Sequence, residues 1–163
     1  MKQLILITTC IVFLTSCKKN DTPNAEQAKQ TDVYVADYED NGTIGFAKVW
    51  KNGAATSLTN GSYSAHANSV FVSGNDVYVA GYEYNGTVPV PKLWKNGMAT
   101  SLTNGSNYGF VNAVFVSGND VYVAGNENNG TVNVAKVWKN GVAISLTNGT
   151  NNTYAYSVMV VAH

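Results

Sequence analysis

Few side chains in this chain are equipped for chemistry, and their spacing narrows what that chemistry could be. His66 is the only internal histidine, His163 is terminal, and neither stands in a Ser/His/Asp or His/Glu metal-binding spacing. Asp37 and Asp40 could pair for glycoside hydrolysis, but an isolated pair of acids does not specify a reaction. Glu39, Glu83 and Glu127 could gather as a ring of carboxylates around a cation, or simply stand at solvated strand ends. Trp50, Trp94 and Trp138 could be sugar-stacking platforms, or packing residues inside a core. All ten basic residues are Lys and ten acids balance them, so no basic stripe offers a surface to nucleic acid. No motif implies a cofactor.

Most of these residues recur at one interval, and that interval identifies the elements that must position them. Asp32, Asp76 and Asp120 are 44 residues apart, as are the three tryptophans, and residues 70–81 return unchanged at 114–125. Such a period marks a repeat architecture, in which each unit buries its apolar faces against its neighbours. In the middle repeat, Val70, Phe71 and Val72 and then Val77, Tyr78, Val79 and Ala80 flank a Gly74-Asn75 turn, the chemistry of a hairpin. A third strand over 87–94 leaves through Lys95-Asn96-Gly97 into a fourth over 98–103. The second strand is apolar or aromatic on both faces, so both must be covered. Pro89 and Pro91 remove N–H groups aimed at one neighbour, which predicts weakened pairing on that side of the third strand.

Comparison among the repeats separates scaffold from free surface. The aspartates, glutamates and tryptophans, with Lys48, Lys92 and Lys136, stand in every repeat and read as requirements of the fold. Variation is concentrated in two links that share one end of an up-and-down meander, while the constant turns share the other. The link into each new repeat supplies Tyr63, His66, Tyr108, Phe110, Tyr154 and Tyr156, and the link between second and third strands supplies Asp40, Tyr84 and Asn128. These nine are the candidate ligand-binding residues, although exposed loops drifting freely would vary in the same way. On that reading His66 lies in an exposed loop, and Tyr108→Ala should cost little stability.

Four-stranded repeats of this length resemble the blades of a β-propeller across residues 32–163, without the Gly-His and Trp-Asp pairs of WD40 blades or the glycine pair of kelch blades. Tyr78-Val79-Ala80-Gly81 and Leu93-Trp94-Lys95-Asn96-Gly97 are similar to propeller-type repeats of bacterial surface proteins. The resemblance implies an all-β fold of three four-stranded antiparallel blades, at 32–75, 76–119 and 120–163, forming a partial propeller. The repeats open at Asp32 with a second strand and close over 157–162 with a first strand. A homodimer through C-terminal strand exchange would complete a six-bladed ring, and a truncated form of a longer propeller accounts for the same offset.

Residues 1–16 carry Lys2 and an apolar run too short to span a bilayer, which reads as a signal-peptide core. The run ends in Leu14-Thr15-Ser16-Cys17, which resembles the bacterial lipobox; a plain secretory signal with an incidental cysteine is the alternative. The resemblance implies a diacylated Cys17, a disordered tether over 17–31, and an outer-membrane protein lipid-anchored toward the periplasm or the cell surface. The expected function is a non-enzymatic binding or scaffold module for a polysaccharide or another surface protein. The alternatives are a hydrolase or lyase on a propeller scaffold, or a fragment of a longer propeller with no function of its own.

Overall fold

The computed structural model describes residues 31–161; the expected signal peptide, Cys17 and the expected tether up to residue 30 lie outside the described residues, as do residues 162–163. The first repeat forms a three-stranded sheet of β1 (Tyr34–Asp40), β2 (Gly45–Lys51) and β3 (Ala54–Ser57). The second forms a four-stranded sheet of β4 (Ala65–Ser73), β5 (Asp76–Tyr84), β6 (Pro89–Lys95) and β7 (Met98–Ser101). The third repeats it with β8 (Gly109–Ser117), β9 (Asp120–Asn128), β10 (Asn133–Lys139) and β11 (Val142–Ser145). Every pairing is antiparallel between strands adjacent in the chain. Only two of the three expected four-stranded units are therefore complete, and residues 153–161, which correspond to β4 and β8, join no ladder among the described residues.

The Lys-Asn-Gly turns adopt the mirror-image hairpin geometry that their sequence predicts. Asn52, Asn96 and Asn140 each have φ of 51°, and the following Gly53, Gly97 and Gly141 have φ of 82–83°. The same asparagines lock the hairpin to the strand beside it. The Asn96 Oδ1 accepts from the Val77 N–H at 2.9 Å, and its Nδ2 donates to the Asp76 carboxylate at 2.7 Å. Lys95 completes the group at 2.8 Å from Asp76, and the hydrogen bonds from Lys95 and Asn96 hold that carboxyl below its ordinary range. Asp32 and Asp120 make the same pairs with Lys51 and Lys139, which explains why this trio stands in every repeat. The three glutamates do not form a ring. Each is ion-paired across its own sheet, Glu39 to Lys48, Glu83 to Lys92 and Glu127 to Lys136.

The sheets pack face to face in chain order, with β4 against β1 and β2 and β8 against β4, β5 and β6. Between the first and second sheets lie Ala47, Ala65, Ala67, Val79 and Trp94; between the second and third lie Tyr78, Ala80, Leu102, Val123 and Trp138. Trp94 and Trp138 are fully buried, so they are packing residues and cannot stack a ligand. Trp50, at the same position of the first sheet, is only half-buried because no sheet of the described chain covers that face. The first strands are also tied to one another: Asn68 Nδ2 donates to the Val111 carbonyl at 2.7 Å and Ser69 Oγ accepts from the Val114 N–H at 3.1 Å.

Two local features depart from the sequence reading. The first strands are longer than expected, because β4 and β8 begin at Ala65 and Gly109 and continue through a bulge at Asn68 and Asn112. Residues 65–67 and 109–111 are therefore strand and not loop. The prolines leave the ladders of β6 unchanged, with the same registers to β5 and β7 that β10 makes to β9 and β11. Pro91 accepts from Leu102 N–H through its carbonyl, so its missing donor faces the same side, beyond the last β7 pair. In the third sheet the corresponding donors of Asn133 and Ala135 bond to the side chains of Asn152 and Thr153. The second sheet has Tyr108 and Gly109 in those places, and a Cβ on Gly109 would lie 2.8 Å from the Pro91 ring. Proline on the strand and the missing acceptor on the link thus belong together.

Candidate binding face

The antiparallel registers bring the variable segments to one end of each sheet and the constant turns to the other. Tyr82 pairs with His66 and Tyr84 with Pro89 at the variable end, whereas Ser73 pairs with Asp76 and Lys95 with Met98 at the turn end. At the variable end aromatic rings run across the sheet boundaries. His66 on β4 lies between Tyr38 of β1, at 3.8 Å between ring centroids, and Tyr82 of β5, stacked at 4.8 Å. Phe110 on β8 then meets Tyr82 edge-on at 4.9 Å. The order Tyr38, His66, Tyr82, Phe110 follows from geometry: each first strand sits between its own second strand and that of the preceding sheet.

Where the third sheet continues the row, the aromatic position of β9 is Asn126, and amides take over. Asn126 Nδ2 donates to Asn133 Oδ1 at 2.9 Å, with both residues buried. Asn133 Nδ2 in turn reaches the hydroxyl oxygens of Tyr154 at 3.2 Å and Tyr108 at 3.4 Å. Asn128 donates to Tyr108 at 3.0 Å and accepts from the Gly130 N–H at 2.7 Å. Amides and phenols each carry donor and acceptor capacity; the asparagines are buried, and the exposed Tyr108 and Tyr154 bring the network to the surface, where it can answer a hydroxyl-rich ligand.

The nine candidate residues therefore divide into groups. His66 and Phe110 belong to the aromatic row, on strands. Tyr63 and Tyr84 flank His66 with Ser64 and Gly86 around an open depression. Tyr108, Asn128 and Tyr154 converge on Asn133, and Tyr156 stacks on Tyr154 at 6.3 Å. Asp40 is occupied by its own turn, accepting from the Gly42 N–H at 2.7 Å. Asp37 likewise accepts from the Tyr38 N–H at 2.7 Å. One expectation is corrected. His66 is a half-buried strand residue held between rings, not an exposed loop histidine, because the bulge carries the strand past Asn68. Tyr108 is exposed as expected, but two buried asparagines donate to its hydroxyl, contacts that Tyr108→Ala would remove. Sequence reasoning missed Tyr38, Tyr82, Asn126 and Asn133; the first three share one 44-residue position, whose change from Tyr to Asn was the available signal.

Burial pushes the His66 imidazole below its ordinary value of 6.5, and the nearby Asp40 charge only partly opposes this. An unfolded chain then binds the proton more readily than the folded one. Stability should be fully present above the unfolded value and fall as pH drops from about 6.5 toward the lower folded value. His66→Gln should abolish this slope, as urea midpoints at about pH 7.5 and about pH 5.5 would register. An equal slope in the variant would assign the loss to other groups.

No protein-family model matches the chain, and no curated protein matches it significantly.

Proposed function

We propose that this protein is a lipid-anchored outer-membrane module, facing the periplasm or the cell surface, that binds a polysaccharide without turning it over. In this reading the sheets are blades of a partial β-propeller. The contact between first strands β4 and β8, together with the exposure of β3, β7 and β11, supports an arrangement of inner and outer strands around an axis. The observation that carries the binding function is the row of Tyr38, His66, Tyr82 and Phe110 grading into the Asn126, Asn133 and Tyr108 network. Sugar rings offer C–H faces to aromatic rings and hydroxyls to amides, so a row with both suits an extended chain of sugars better than a compact ligand. Depressions on such a face near the axis are a common place for propeller ligands.

A panel of bacterial and plant oligosaccharides tested on the full chain in detergent distinguishes the readings. Saturable binding with no product is expected, and Tyr82→Ala should weaken it by about tenfold or more, as loss of a central aromatic anchor does. Product formation abolished by Asp40→Asn or His66→Ala would instead make this face catalytic. Binding that Tyr82→Ala leaves untouched, or binding only to surface proteins, would overturn the assignment.

A further inference from the structure

The two outermost sheet faces of the described chain carry the residues that are buried inside it. On the face of the second sheet that packs on the third, Leu102 is 7 % exposed, while Leu146, its counterpart on the third sheet, is 54 % exposed. On the opposite faces Val79 and Val123 are 1 % exposed, while Val35 of the first sheet is 49 % exposed beside the half-buried Trp50. Each outer face thus matches the other as the internal faces match each other. The same holds for strands. Among the described residues β1 has a strand on one side only, and residues 153–161 have none. The start of that segment already rests on the third sheet as β8 rests on the second. Asn112 Nδ2 donates to the Ala155 carbonyl at 2.8 Å, just as Asn68 donates to that of Val111, and the Ala135 N–H bonds to Thr153 Oγ1.

We propose that a second copy of this chain covers these surfaces head to tail, the third sheet of one copy packing on the first sheet of the other. Residues 157–161 of one copy then pair antiparallel with residues 32–36 of the other, and Val158 faces Val35 as Val70 faces Val79. Asp37 limits the ladder. It occupies the position of Gly81 and Gly125, where an added Cβ would lie 1.9 Å and 2.1 Å from the carbonyl oxygen of the opposite strand. Pairing therefore stops before Asp37, which leaves the shared ladder short and the apolar faces as the main contact. Applied twice, this contact gives two identical junctions and a closed ring of six sheets, inside the usual range of about four to eight blades. Closure of the ring rests on the propeller reading, whereas the head-to-tail contact does not. The contact also brings Tyr38 of the second copy toward Tyr154, extending the aromatic row across the junction.

The test uses the full chain in detergent. Val35→Cys and Val158→Cys are made on separate chains with different tags, expressed together and oxidised. Directly opposed residues in a non-hydrogen-bonded pair have Cβ atoms about 4.5–5.5 Å apart, close enough for a disulfide after small adjustment. A covalent pair carrying both tags is expected from the mixture and not from either variant expressed with the parent chain, which controls for Cys10 and Cys17. Light scattering should give a dimer, and Leu146→Glu, exposed in the single chain, should convert it to a folded monomer. A parent chain that scatters as a monomer, a mixture without the disulfide, or an oxidised double variant linked only within single chains would each overturn the proposal. A ladder of ever longer covalent species would overturn the closed pair.

Discussion

Gly81→Ala should lose about 3 kcal/mol of stability, the upper end of what overpacking a tight site costs. Opposite Gly81 the bulge at Asn68 swings the backbone inward, so a methyl group would sit 1.9 Å from the His66 carbonyl oxygen and 2.9 Å from the Ala67 Cα. All of these obstacles are backbone, and none can rotate away. Relief would require the bulge to unwind, which would shift His66 out of its stack between Tyr38 and Tyr82. Gly125→Ala should behave alike, whereas Asp37→Gly on β1 has no described strand to meet and should change stability by less than about 1 kcal/mol. Chemical denaturation of the three variants checks this. A Gly81→Ala protein as stable as its parent would mean that β4 and β5 are not bulged as described.

Trp138→Ala should cost about 3–5 kcal/mol, the range for removing a fully buried indole. The ring packs with Tyr78, Leu102 and Val114 between the second and third sheets, and the truncation leaves a cavity that rigid sheets cannot close. Among the described residues its buried Nε1 has no hydrogen-bond partner, so the expected loss is one of packing. Trp50→Ala, on the half-covered face of the first sheet, should cost about 1–2 kcal/mol in the isolated chain. Calorimetric or urea midpoints for the pair would show the difference, and equal losses would contradict the packing described for the two faces.

What the sequence made legible follows from what short-range chemistry can dictate. The Lys-Asn-Gly turns were readable because two successive positive φ values leave Asn and Gly almost without competitors. The missing strand of the first sheet was readable from the offset of the repeat at Asp32. The start of the first strands was not readable, because the bulge at Asn68 and Asn112 inserts a residue and breaks the alternation of two on which strand recognition depends. His66 and Phe110 were consequently selected as site residues but placed in the wrong element. The prolines of β6 misled for a related reason: a lost donor matters only if a partner strand lies opposite, and β7 has already ended there. The asparagine network was hidden because Asn126 and Asn133 meet across β9 and β10, a contact that register alone creates.

On the function proposed, ligand binds at the variable end of the sheets, along the row from Tyr38 to Phe110. The most direct measurement is a titration of the isotope-labelled protein with the tightest oligosaccharide of the panel, followed through its backbone amide resonances. Saturable shifts are predicted at His66, Tyr82, Phe110, Asn126 and Asn133, with the turn residues Asn52, Asn96 and Asn140 unmoved. Saturable shifts centred on those turns, or none at all with any sugar of the panel, would contradict it.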